Sequence, residues 1–334
     1  MTLAEFLPLY WYCIIGLAVL VYVILDGYSQ GIGILLPFAY DQHERHLMLS
    51  VVLPNWDGNQ TWLVFGTAAL YGAFPLAFAT LLPMLYLPIM SMVIAILFRG
   101  VAFEYRMKST KHTHLWDRVI FISSFMIAFM QGNILGAFVE GFNDLELTKN
   151  ALSWHSTFAY LTGLGVVSGY ALLGATRLIL KLEGRIQTHM YELALKLLIF
   201  VTVFMGIVSL ITPFVDPQLL DLWFNPKSMI YLIWLPVTTM LLILKCIQSL
   251  KDKQNDRLPY FLSFSIFVCG FLGLAISTFP YLVPRSITLW DAAAPTHSLI
   301  FVSIGATIIL PVLIAYTSYS YYVFKGKVKE VIKY

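Results

Sequence analysis

Charge is what this chain has least of. Asp, Glu, Lys and Arg make up 12% of its 334 residues, against about 25% in soluble proteins. Hydrophobic residues make up 59%, and the mean hydropathy is +0.78. That balance excludes an ordinary soluble domain, and no nucleic-acid partner is expected. Cysteine is scarce too. Cys13, Cys246 and Cys269 each lie in an apolar segment without a close partner in sequence, which gives neither a disulfide framework nor a metal-type spacing. A phosphate-cradling glycine loop and a dinucleotide fingerprint are both missing. The N-terminus lacks the basic region and small-residue cleavage site of a signal peptide, so residues 6–25 are expected to stay as a first span. A haem-bearing helix would need His, Met or Cys aimed at iron from within a span. His43, His46, His112, His114, His155, His189 and His297 all fall in loops or at span ends, and the methionines read as packing. The pair His112-x-His114 sits in a basic loop and reads as solvated rather than metal-binding.

Long uncharged runs are what the chain has instead. A bilayer crossing takes about 20 apolar residues, and on that measure nine spans are expected. They cover 6–25 (with an apolar continuation to 40), 57–72, 75–98, 119–139, 155–176, 193–215, 229–244, 258–284 and 296–324. Internal prolines such as Pro83, Pro88, Pro236, Pro280 and Pro311 are tolerable where neighbouring helices re-satisfy the backbone. Small-residue spacings at Gly163 to Ser168 and Gly270 to Gly273 suit close helix packing. Nearly all Lys and Arg fall on one side of this scheme, and the other side holds only Lys149, Lys227 and Arg285. The positive-inside rule then sets the N-terminus outside and the C-terminus in the cytoplasm. Trp11, Trp154, Trp223 and Trp290 would mark the outer interface, with Trp116 and Tyr316 to Tyr322 at the inner one.

The few ionisable groups near these spans are therefore informative. Asp26 ends the first apolar run, Asp57 opens the second span and Arg99 closes the third, all on the inner side. Alone in hydrocarbon each would cost several kcal/mol, so pairing or a water-filled cavity is expected. A helix-locking salt bridge with Arg99 and a proton- or ion-conducting pocket are compatible readings of the same three residues. Asp57 stands inside Pro54-Asn55-Trp56-Asp57-Gly58-Asn59-Gln60-Thr61-Trp62, a polar doorway where a helix enters the membrane. A second polar group, Gln131, Asn133, Glu140, Asp144, His155, Trp290, Asp291 and His297, reads as lying toward the outer side. It suits hydrogen bonding between helices and interfacial solvation.

Three segments carry a family resemblance: Trp56-Asp57-Gly58-Asn59-Gln60-Thr61-Trp62, Asp26-Gly27-Tyr28-Ser29-Gln30-Gly31-Ile32-Gly33, and Phe98-Arg99-Gly100-Val101-Ala102-Phe103-Glu104-Tyr105-Arg106. Together they resemble subunit II of the cytochrome bd quinol oxidases, and the short chain suggests the compact form found in cyanide-insensitive oxidases. The resemblance implies an all-α polytopic fold with nine helices. A first four-helix bundle would span 1–150, a second 151–290, and a peripheral ninth helix with a basic tail 291–334. It implies an enzyme of the bacterial inner membrane that oxidises ubiquinol or menaquinol and reduces dioxygen to water, building proton motive force. Haem b and haem d would be held by the partner, subunit I, and none by this chain, with lipid and small single-helix subunits as further partners. Asp57 would be a proton-path carboxylate supported by Asp26 and Arg99. Trp56 would pack a quinone, Trp62 would line an oxygen route, and Asn59 and Gln60 would give polar support.

Two other readings compete. A secondary transporter would suit the embedded charges and a first helix broken at 26–33, but it would predict an inverted repeat. Spans one to four and five to eight share one orientation instead, and the later spans have no counterpart of Asp26, Asp57 or Arg99. A pure scaffold that insulates a haem-bearing partner is the third.

Overall fold

The computed structural model describes residues 2–109, 111–142, 154–215, 223–225, 229 and 232–328. The first half holds α1 (Leu3–Leu35), a 3-10 turn (Leu36–Phe38), α2 (Gln42–Val52), α3 (Trp56–Ala73), α4 (Pro75–Met84), α5 (Tyr86–Lys108) and α6 (Thr113–Glu140). The second half holds α7 (Thr157–Lys181), α8 (Arg185–Val215), α9 (Trp234–Asp252), α10 (Leu258–Thr278), a small antiparallel hairpin of β1 (Tyr281–Val283) and β2 (Ile287–Thr288), and α11 (Thr296–Val323).

Among the described residues, seven helices are long and apolar enough to cross a membrane: α1, α5, α6, α7, α8, α10 and α11. The pair α3 and α4 meets the same measure only together, and it bends by 120° at its break. The chain is thus an all-α polytopic membrane protein; among the described residues seven helices, or eight spans with the bent pair, meet this measure, and the expected nine is not confirmed. Three differences explain the count. The run 75–98 is not one helix. Pro75 opens α4 at a position where its missing N–H costs nothing, and a new helix begins at Tyr86 and carries on past Arg99 to Lys108. Hydropathy is blind to such a break. The expected span 229–244 lies partly outside the described residues, and α9 runs on from Trp234 to Asp252. The expected span 258–284 stops at Thr278, and its last apolar residues form the hairpin.

The first helix is unbroken through Asp26–Gly33. It lies at the centre of the molecule, packed on α3, α6 and α7, while α5 packs on α6, α7 on α8 and α10, and α9 on α8 and α10. Glycine allows the closest of these contacts. A Cβ on Gly31 would stand 1.8 Å from the Tyr170 carbonyl oxygen, and one on Gly174 2.5 Å from the Gly31 carbonyl carbon. The backbones of α1 and α7 therefore touch, as small residues permit between membrane helices. The last helix, α11, lies on α1 and α3 and keeps Phe301, Ile308 and Val312 exposed. Trp11 is buried, and its indole N–H donates to Ser303 on α11 at 3.0 Å.

At the end of the molecule that carries α2, polar contacts tie the halves together. Tyr40 bonds His189 of α8 at 3.1 Å, and the Arg185 guanidinium lies 3.8 Å from the Tyr40 ring centre. The segment after α11 is strapped to the C-terminal end of α7. Lys181 donates to the carbonyls of Phe324 and Gly326, the Val328 N–H returns to the Lys181 carbonyl at 2.9 Å, and Lys327 pairs with Asp256.

Candidate functional site: a buried ion pair beside an open cleft

On α1, Tyr22, Asp26, Ser29, Gln30 and Gly33 fall on one helical stripe, because residues three and four apart share a face. Asp26 meets Arg99 of α5 there. The Arg99 Nη2 donates to both carboxylate oxygens, at 2.8 and 2.9 Å, and neither side chain has any exposure. Gln30 adds a hydrogen bond from its Nε2 to Asp26 at 3.0 Å. The network continues onto α6 and α7: Gln131 donates to the Tyr22 hydroxyl at 2.7 Å, and the Tyr170 hydroxyl donates to the Gln131 carbonyl oxygen at 2.7 Å. Burying one charge without its partner is prohibitive, whereas a paired, hydrogen-bonded carboxylate is sustainable. This pair lies well inside the protein, since α5 continues to Lys108 for another ~14 Å of helix rise.

The doorway segment has a different geometry. Asn55, Asn59 and Trp62 point inward and hold neighbouring helices. Asn55 accepts from Ser320, and Asn59 donates to the Leu25 carbonyl at 2.9 Å and accepts from Tyr321 at 3.0 Å. The Trp62 indole donates to Thr317 at 3.1 Å, and its ring is buried against Ala18 and Tyr22. Gln60 keeps a buried amide nitrogen without a hydrogen-bond partner. Asp57 points outward and is exposed, with its carboxylate accepting the N–H of Gly58 at 2.7 Å. It lines a cleft of about 440 Å³ together with Trp56, Phe103, Glu104, Lys108 and Tyr316, among others. Trp56 packs at 5.6 Å on Phe103, and Gly100 leaves room for it: a Cβ there would come within 3.2 Å of the indole. The cleft is open to solvent and of mixed polarity, and Trp56, Phe103 and Tyr316 supply aromatic surface to its wall.

The three charges expected together are thus split. Asp26 and Arg99 pair in the interior, and Asp57 lies on the cleft. Among the described residues, no hydrogen bond or ion pair joins it to either of them. Phe103 neighbours both places, with the Arg99 guanidinium 6.0 Å and the Trp56 ring 5.6 Å from its ring centre.

Sequence reading missed a second buried pair, Arg106 with Asp117 at 2.5 Å, near α2. Arg106 also donates to Gln42 at 2.8 Å and bonds the His46 Nε2 at 3.1 Å, while Arg45 reaches Asp117 at 3.2 Å. Burial, and then the Arg106 charge, push the His46 imidazole below its ordinary value, so it stays neutral and accepts. The missed signal was a seven-residue spacing on α6, where Asp117, Ser124 and Gln131 stand two turns apart on one face. Gln131, expected with the outer polar residues, joins the Asp26 network instead. Asn133 is buried with both amide atoms unpartnered, Glu140 accepts from Ser156, and Asp144 lies outside the described residues. The histidines do not suit haem. Those of α2, α6, α8 and α11 stand in or near the first turns of their helices, His155 precedes α7, and His46 is bonded to Arg106. Among the described residues, no three His, Cys, Asp or Glu side chains gather as a metal site.

Comparison with known proteins agrees with this framework. The chain is 25% identical to cytochrome bd-I ubiquinol oxidase subunit 2 of Escherichia coli (strain K12), over 98% of this chain and 96% of that one. It is also 25% identical to cytochrome bd ubiquinol oxidase subunit 2 of Bacillus subtilis (strain 168), over 97% and 98%. In fold it is similar to a chain of the bd oxidase from Geobacillus thermodenitrificans, with a TM-score of 0.73 at 16% identity, covering 95% of this chain and 98% of that one. The family model for cytochrome bd terminal oxidase subunit II matches residues 7–324, through α1, α5 and the whole doorway segment. The chain therefore belongs to the cytochrome bd terminal oxidase subunit II family.

Proposed function

We propose that this chain is the non-haem-ligating subunit of a quinol:dioxygen oxidoreductase in the bacterial inner membrane, working against a haem-bearing subunit I. The carrying observation is the family match from residue 7 to 324, which includes every residue of the candidate site. Haem b and haem d would reside in the partner, a reading supported by the poor fit of this chain's histidines to iron. When bound, ubiquinone or menaquinone would supply the two-electron chemistry, and Trp56 with Phe103 would hold its ring in the cleft. Trp62 would line an apolar path for oxygen. The N-terminus would face the periplasm and the C-terminus the cytoplasm, as the asymmetry of Lys and Arg argues. The division at 150 and 290 into two four-helix bundles and a ninth helix is what the family resemblance implies, with α7 packing across the first boundary onto α6 and α1.

Asp57 would be the titratable entry. Consuming cytoplasmic protons at the far side of the membrane moves charge through the potential, worth about 2.3 kcal/mol per charge per 100 mV. Such uptake needs a hydrated carboxylate at the inner face, and an exposed acid on a cleft meets that need. Asp26 and Arg99 would support it from the interior. A scaffold role is compatible, because Asn55, Asn59 and Trp62 hold α11 and α1. A transporter is disfavoured by the unbroken α1. The test is Asp57→Asn in the purified complex, with Asp41→Asn as control. Asp41 caps α2 by accepting the Glu44 N–H at 2.8 Å, and asparagine keeps such a cap. Turnover should fall severalfold in Asp57→Asn with the haem spectrum retained, and stay at the wild-type level in Asp41→Asn. Wild-type turnover in Asp57→Asn would remove the assignment.

A further inference from the structure

Between the two buried ion pairs runs a seam of unmet hydrogen-bonding groups. Asp26–Arg99 lies at one end and Arg106–Asp117 at the other. On α5, Arg99 and Arg106 are seven residues apart, and on α6 so are Asp117 and Ser124, a rise of ~10 Å in each case. Five side-chain atoms on the facing helices are buried without any hydrogen-bond partner: Ser29 Oγ, Gln30 Oε1, Ser124 Oγ, Arg99 Nε and Arg99 Nη1. They come from α1, α5 and α6. Ser124 faces α1, since a Cβ on Gly33 would lie 2.2 Å from its hydroxyl oxygen. Buried polar groups in proteins are bonded to protein or to ordered water in at least about 90% of cases. Four side chains that face one another across three helices therefore call for a partner that the protein itself does not supply. Their chemistry is also complementary, with guanidinium donors, an amide acceptor and two hydroxyls that can do either. Water satisfies such a set, because each molecule offers two donors and two acceptors and bridges about three buried groups.

We propose that this seam binds a file of internal water linking Ser124 and Ser29 to Gln30 and Arg99, and that it forms a hydrated route from the Arg106–Asp117 pair to Asp26. The route runs inside this chain, apart from the cleft at Asp57. It rests on the reading of the chain as an oxidase subunit that takes up protons, and it adds a second inlet with its own residues. Water hydrogen-bonded in file carries protons without any side chain having to move, and fixed charges at both ends orient it.

The test uses the intact oxidase complex, wild type and the double variant Ser29→Ala/Ser124→Ala. Both substitutions remove only a hydroxyl and suit a helix interior. A density map that resolves water should show it about 2.8 Å from Ser124 Oγ, Gln30 Oε1 and an Arg99 nitrogen in the wild type. The double variant should lose the water at position 124 and turn over severalfold more slowly, with unchanged haem content. A dry seam, or these atoms bonded directly to protein groups, overturns the proposal. So does a double variant that turns over at the wild-type rate. Asp57→Asn measured alongside separates the two inlets: an inert Asp57→Asn with a slowed double variant leaves the seam standing and removes the cleft.

Discussion

Asp26 and Arg99 sit in the interior with no exposure at all, and each is tolerable there because of the other. Removing one partner of such a pair typically costs about 3–5 kcal/mol, while replacing both with apolar groups can be neutral. Asp26→Leu or Arg99→Met alone should therefore sharply lower the yield of assembled complex and its thermal midpoint. The double variant Asp26→Leu/Arg99→Met should recover much of both. If the double variant were as poor as the sum of its parts, pairing would not be what holds the site together. Both charges were legible from the sequence, because ionisable residues beside long apolar runs stand out. Their depth was not, since the end of an uncharged run says nothing about how far the helix continues. Gln30, Tyr22, Gln131 and Tyr170 were equally hidden, because amides and phenols are ordinary residues until the fold puts them in contact.

Helices set which of these residues meet. Gly31 and Gly174 let α1 and α7 pack backbone to backbone, which brings Tyr170 to Gln131 and so to Tyr22. A methyl group at Gly31 has only backbone to push against, so Gly31→Ala should cost at least the ~1–3 kcal/mol of an overpacked core. The measured outcome should be lower assembly and a lower unfolding temperature. Gly206→Ala, with nothing within 4 Å of the added carbon, should leave both at wild-type levels or slightly above. The same scale explains the misread third span. Composition registers how apolar a segment is, and the break between α4 and α5 at Leu85 leaves that unchanged. The doorway segment likewise looked like a single polar patch. A helix beginning at Trp56 turns successive side chains by about 100°, which sends Asp57 out to the cleft and Asn59 and Trp62 in toward α1 and α11.

For the molecule as a whole, the polar contacts at the α2 end join Tyr40 to His189 across the halves and hold the tail to α7 and to the α9–α10 connection. Asp256 is the clearest case. Partial burial opposes its ionisation, but hydrogen bonds from Lys327, Tyr191 and Gln187 outweigh that and hold its carboxyl below the ordinary value. A lowered carboxylate value means that the folded state binds the proton less readily than the unfolded one. Its contribution is therefore fully present above about pH 4 and is lost as pH falls through the folded value. A third of the Asp256 side chain is exposed, so this contribution is on the order of 1 kcal/mol or less. Asp256→Asn should lower the thermal midpoint slightly at neutral pH, and the gap from wild type should close below about pH 4. A gap that stayed constant down to acid pH would mean that the Lys327 contact adds nothing.

Membrane residence, helical class, family and the identity of the sparse charges were all written in the order of residues. Each depends on composition or on motifs that are local in sequence, and lipid allows few ways to satisfy the backbone. Only packing in three dimensions separated Asp57 from Asp26 and Arg99 and joined Gln131 and Tyr170 to their network. It also set Arg106 on Asp117 and folded the tail back onto Lys181. Those partners lie on different helices, some far apart along the chain. The direction each side chain faces depends on helix rotation and crossing, which no local pattern encodes.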